Sequence, residues 1–159
     1  MVPLLALAWL VLDQVTKAWV QSSMTLHQSI ETPGNLFFWT YIHNRGGAFG
    51  LFPGASLLFL TTGVLVTAFL LWSLPRARNL STPTAVAYSL ILGGAVGNLV
   101  DRVRYGYVVD FIDLNFWPLK QWPVFNVADI GISVGIGLLV LTSLFSPHAP
   151  ESSATRSET

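Results

Sequence analysis

The sequence predicts an all-α polytopic membrane protein with four transmembrane helices, and three observations carry that reading. Only 10% of the 159 residues are charged, against about 25% in a soluble domain, and mean hydropathy is +0.58. The charges are bunched, so that residues 46–75, 79–100 and 130–150 carry none. A hydrocarbon core about 30 Å thick takes roughly 20 apolar helical residues to cross. Each charge-free run can therefore supply a span, and the apolar start of the chain supplies another. The formal net charge is +0 and the basic residues are scattered, which leaves no footprint for nucleic acid. With no cysteine, disulfides, thiolate chemistry and a cysteine-bound metal are excluded.

Taken in order, the first span covers about residues 1–20 and is apolar except for Asp13, Gln14, Thr16 and Lys17. It lacks a basic leader and a small-residue cleavage site, so a cleaved signal peptide is not expected. Asp13 and Lys17 stand four apart, where an acid N-terminal to a base pairs along one helix face. The second span, about 55–74, lies between Pro53-Gly54 and Pro75. The third, about 83–100, opens on Thr82-Pro83 and is expected to end among Gly93, Gly94, Gly97 and Asn98. The fourth runs over about 125–145. Gly93/Gly97 and Gly131/Gly135 repeat at four-residue spacing, which lets membrane helices approach closely. Asp101 continues the row of Gly93 and Gly97 and should face protein, whereas Gly131 and Gly135 lie away in angle from Asp129.

Four spans put both termini on one side and the loops 21–54 and 101–124 on the other. Those loops hold most of the aromatic residues, among them Trp39, Tyr41, Tyr107, Phe111 and Trp122, as an interfacial belt on a single face. Arginines and lysines fall on both sides and do not orient the chain. The run Leu36–Ile42, aromatic and β-branched, predicts a strand of a small interfacial sheet. Residues 1–146 form one membrane-embedded domain, and the polar segment 147–159 is expected to be a disordered tail.

Ionisable groups at membrane depth are costly, so each acid asks for a partner or a function. Glu151 and Glu158 belong to the tail, and Glu31 falls in a turn beside Thr32-Pro33-Gly34. Asp13 has Lys17, and Asp101, at the end of the third helix, has Arg102 beside it. Asp129 follows Asn126, a helix cap that puts it in the first turn of the fourth span. Asp110 has apolar neighbours and no adjacent base, the desolvated setting that raises a carboxyl pKa and suits a general acid or base. Asp113, three residues on, points elsewhere if the stretch is extended. Two carboxylates brought together can share a proton, one activating water while the other protonates the departing group. His27, His43 and His148 lack ligand spacing, and no serine sits in a nucleophile elbow.

Five motifs then occur in chain order: Asp13-Gln14-Val15-Thr16-Lys17; Asn44-Arg45-Gly46-Gly47-Ala48-Phe49-Gly50; Gly93 to Arg102; Gly106-Tyr107-Val108-Val109-Asp110-Phe111; and Phe125-Asn126-Val127-Ala128-Asp129. Over about residues 9–145 the chain resembles the lipoprotein signal peptidases, the bacterial signal peptidase II family. The resemblance implies an aspartyl endopeptidase that removes signal peptides from prolipoproteins, cutting just before a diacylglyceryl-modified cysteine. By the family's motifs Asp110 and Asp129 are the catalytic pair, while Asp13, Lys17, Asn44, Asn98, Asp101, Arg102 and Asn126 contact substrate or hold the site together. It further implies a small β cradle and a short helix on the outer face, termini in the cytoplasm, and location in the bacterial cytoplasmic membrane. No metal or cofactor is expected, and a monomer is. The reading from another class is a small transport or ion-relay protein, with Asp13, Lys17, Asp101 and Asp129 along a polar path.

Overall fold

In the computed structural model, residues 1–46 and 56–145 are described. Among them, four helices are long and apolar enough to cross a membrane. Helix α1 covers Val2–Ser23, α2 Ser56–Ser73, α3 Thr82–Tyr105 and α4 Val127–Phe145. Strands β1 (Ser29–Glu31) and β2 (Phe37–Asn44) lie between α1 and α2, and β3 (Val108–Leu114) lies between α3 and α4. Short 3-10 helices occupy Leu74–Asn79 and Leu119–Gln121. The polar segment 147–159, expected to be a disordered tail, and the Pro53-Gly54 breaker lie outside the described residues.

Helix α3 is central, packing against α1, α2 and α4. Its small residues permit this: a side-chain carbon on Gly94 would run into the Ala128 carbonyl of α4, and one on Gly93 would lie 2.6 Å from the Ala6 carbonyl of α1. Helix α2 turns Leu57, Leu65, Phe69 and Trp72 outward, an apolar surface that only a hydrocarbon surrounding tolerates. The glycines do not end α3, as the sequence reading had it. The helix continues past Asp101 to Tyr105 and stops at Gly106, whose positive φ of 75° lets its N–H bond the Arg102 carbonyl at 3.0 Å. Close approach of neighbouring helices, and not chain termination, is what these glycines serve.

The strands form one antiparallel sheet of order β1-β2-β3. The predicted strand at 36–42 is β2, shifted by one residue at its start and two at its end. Glu31 closes β1 opposite Phe38 instead of sitting in the turn. Phe125 bridges Ile112 on β3, so the chain remains extended to that point and α4 starts two residues later than the expected start near residue 125. Phe111, Val109 and Tyr41 seal the sheet onto Val20 of α1 and Met24 just past its end. The sheet is thereby fixed to the end of the helix bundle.

Gly97 supplies a first test. A side-chain carbon there would lie 2.5 Å from Asp13 Oδ2, an atom already tied to Lys17. Overpacking of this kind costs about 1–3 kcal/mol. Gly97→Ala is expected to lower the melting temperature in detergent, whereas Gly137→Ala, with open space around it, should not. Equal melting temperatures for the two variants would mean that α1 and α3 are not locked at this point.

Candidate active site

Asp110 and Asp129 come to one cleft from different elements. Asp110 is on β3 opposite Ile42, with its carboxyl pointing inward and 1% of the residue exposed. Asp113 falls on the other face of the strand and accepts a hydrogen bond from Thr40 Oγ1 at 3.0 Å, as the alternation of an extended stretch requires. Asp129 is the third residue of α4. Asn126 caps that helix, its Oδ1 accepting from Asp129 N–H at 3.0 Å while its own backbone N–H donates to Asp129 Oδ2 at 3.3 Å. This reciprocal box holds the carboxylate against the helix start.

Three asparagine amides join the two acids. Asn126 Nδ2 donates to Asp110 Oδ1 at 2.6 Å, and Asn44 Nδ2 donates to Asp110 Oδ2 at 2.7 Å. Asn98 Nδ2 donates to Asp129 Oδ1 at 2.7 Å, and Asn98 Oδ1 accepts from Asn126 Nδ2 at 3.2 Å. Asn126 therefore touches both carboxyl groups. The cleft above them encloses about 460 Å³. It is lined by Asp110, Asp129, Asn44, Asn98 and Arg102 and, for the most part, by apolar side chains that include Leu114, Trp122 and Ile130.

Burial, and after it the negative charge of Asp129, pushes the Asp110 carboxyl up to about 7. The folded chain thus keeps a proton that the unfolded chain releases near pH 4. Its contribution to stability is full below the unfolded value and is lost as pH rises through about 7. In melts from about pH 5 to about pH 9, Asp110→Asn should gain on the parent as pH rises. A difference between the two that does not vary with pH would remove Asp110 as a group titrating in this range.

Beneath the cleft lies a second polar cluster, where the structure corrects one pairing. Asp101 is not held by Arg102. Its Oδ2 lies 2.9 Å from Lys17 Nζ and accepts from Val109 N–H at 3.1 Å, and its Oδ1 accepts from Gln14 Nε2 at 3.0 Å. Lys17 also pairs with Asp13 at 2.9 Å, as the spacing predicts, and donates to Asn98 Oδ1 at 3.1 Å. One ammonium group meets three acceptors, which is all it can donate to. The buried side chains of Lys17, Asp13 and Asp101 link α1 to α3. Arg102 makes no ion pair among the described residues; it donates to the Asn98 carbonyl at 3.3 Å and faces the cleft. The helical row that carries Asp13 reaches Asp101 because the Gly97 row leaves room for it.

Two contributors escaped the sequence reading. Gln14 donates from one amide nitrogen to Asp13, Asp101 and the Gly97 carbonyl. Trp9 donates its indole N–H to the Val127 carbonyl at 3.2 Å, and a side-chain carbon on Gly131 would collide with that indole. Gly131 thus makes room for a ring as well as for a helix. Trp9 stands four residues before Asp13, on the same helix face. That spacing was the available signal.

A family model described as signal peptidase II matches residues 5–145. The chain is 42% identical over 141 residues to the lipoprotein signal peptidase of Halothermothrix orenii, across 89% of this chain and 93% of that protein. It is 41% identical to that of Syntrophotalea carbinolica, across 87% of this chain and 88% of that protein. Two solved bacterial membrane enzymes share the fold. One, at 29% identity, gives a TM-score of 0.80 over 98% of this chain and 92% of that one; the other, at 31%, gives 0.79 over 91% and 92%. The fold is that of a multi-pass bacterial membrane protein, and the chain belongs to the bacterial signal peptidase II family of proteases.

Proposed function

We propose that this chain cleaves the signal peptide from diacylglyceryl-modified prolipoproteins just before the lipidated cysteine, with Asp110 and Asp129 as an aspartyl catalytic pair. The observation that carries the reading is that Asn126 holds both carboxyl groups in a cleft lined largely by apolar side chains. An apolar wall suits a signal-peptide segment still in its membrane, so the substrate's acyl chains stay in lipid while the scissile bond meets the pair. Asp110, whose carboxyl is pushed up to about 7 by burial, carries the proton of the pair and donates a hydrogen bond to the scissile carbonyl, and Asp129 takes a proton from water as the oxygen attacks the carbonyl carbon. Collapse of the tetrahedral adduct breaks the C–N bond and passes that proton to the cysteine nitrogen. The products are a signal peptide with a new carboxylate and a mature chain with a free amino group.

Asn44 and Asn98 hold the acids, and Arg102 at the cleft edge is placed to meet substrate backbone. In this reading the chain acts as a monomer in the bacterial cytoplasmic membrane, with both termini in the cytoplasm and the cleft at the outer face. A transport or ion-relay protein is not favoured, since the ionisable residues gather around one cleft and the cluster beneath it.

The test is cleavage of a diacylglyceryl prolipoprotein peptide by purified protein in detergent. A single turnover in oxygen-18 water should place the label only in the new carboxylate of the released signal peptide. Trapping of a covalent peptidyl enzyme would refute direct attack by water.

A further inference from the structure

We propose that Trp9 and Asp13 act together as a clamp from α1 that positions Asp129 for the reaction, a role that rests on the catalytic reading of Asp129. The Val127 carbonyl, which accepts from Trp9 Nε1 at 3.2 Å, and the Ala128 N–H, which donates to Asp13 Oδ1 at 2.9 Å, belong to one peptide group. Helix α1 therefore grips that group at both ends, immediately before Asp129. The Ala128 N–H is one of the donors that an α-helix leaves unpaired in its first turn, and the carboxylate of Asp13 at the helix start complements the helix dipole. The Val127 carbonyl is the ordinary ladder acceptor for the N–H of Gly131. The indole reaches it only because Gly131 carries no side chain.

The capping box of Asn126 ties Asp129 to its own helix. The Phe125–Ile112 bridge and the Asn126–Asp110 hydrogen bond tie the residues just before the helix to β3, which carries Asp110. The clamp adds a constraint from α1 on the first peptide group of the helix itself. Rotation of the gripped peptide group would swing the Asp129 carboxylate away from Asp110, one oxygen of which is held from β2 by Asn44.

Trp9→Phe keeps a ring and removes the donor. Misplacement of a reacting group by a fraction of an ångström costs rate more than binding, and the expected result is a fall of about tenfold in kcat with KM within about twofold. The melting temperature should stay close to that of the parent. Trp9→His, whose Nε2–H can occupy the place of the indole N–H, should recover most of the lost kcat. Gly131→Ala, which pushes the indole out, should reproduce the Trp9→Phe loss. Trp72→Phe, on the outer side of α2, serves as control and should leave kcat unchanged. If Trp9→Phe turns over like the parent while Asp129→Asn is inactive, the clamp is wrong and the catalytic reading stands. If Trp9→Phe and Trp9→His lose activity equally, the indole is only a filler and the clamp is again wrong. Parent-like activity of Asp129→Asn would instead remove the catalytic reading itself.

Discussion

Cleavage of the diacylglyceryl peptide is expected to fall by about 10³-fold or more in Asp110→Asn and in Asp129→Asn, since each removes a group proposed to exchange a proton with the reacting atoms. The two variants should differ in stability. At position 110 the new amide must point its NH2 at either Asn44 or Asn126. Asn126 is fixed at its other end by the N–H of Asp129, whereas among the described residues the Asn44 oxygen is held only by the N–H of Gly46. Asn44 can turn, so the cost is about one hydrogen bond, about 1 kcal/mol, set against relief of a buried charge above neutral pH. At position 129 the NH2 faces either Asn98 Nδ2 or the backbone N–H of Asn126. Neither donor can give way, because Asn98 must keep its oxygen on Lys17. Asp129→Asn should therefore melt below Asp110→Asn, and activity has to be measured per folded molecule. Near-parental turnover of either variant, on that basis, would exclude the pair.

The four spans were legible because a membrane imposes length and an absence of charge, and both can be read directly from residues 46–75, 79–100 and 130–150. Asp110 stood out because nothing near it in the sequence could neutralise it, and it is buried in the structure without an ion-pair partner among the described residues. Asn126 and Asp129 were legible for another reason: a cap and an acid three residues later have one local geometry. The failures were long-range. Arg102, adjacent in sequence, was a natural partner for Asp101, but adjacent helical residues diverge by about 100° in direction. Asp101 turns inward to Lys17, and Arg102 turns to the cleft. Strand β1 was missed because its three residues are all exposed and show no alternation. Trp9 was passed over because an aromatic residue in a membrane helix is ordinarily lipid-facing or packing, and its acceptor lies 118 residues away.

Lys17→Met is expected to be the most destabilising single change in the chain. The ammonium group is buried between Asp13 and Asp101 at 2.9 Å from each. Removing one partner of a buried ion pair costs about 3–5 kcal/mol, because a charge is left without compensation, and here two carboxylates lose the same cation. Poor recovery from the membrane and a markedly lower melting temperature in detergent should follow. Replacing Asp13 with Leu in addition takes away one of the stranded charges and should recover part of the loss. It should not restore parental stability, since Asp101 remains charged and the Ala128 N–H loses its acceptor. Asp101→Asn leaves Lys17 paired with Asp13 and keeps one oxygen for Lys17 and the Val109 N–H. Its stability loss should be smaller, with cleavage still measurable, which separates Asp101 from Asp110. A Lys17→Met variant as stable as the parent would show that the cluster does not depend on the cation. If that stable variant were also inactive, Lys17 would belong with the reacting groups, and the division between a structural cluster beneath and a catalytic pair above would have to be redrawn.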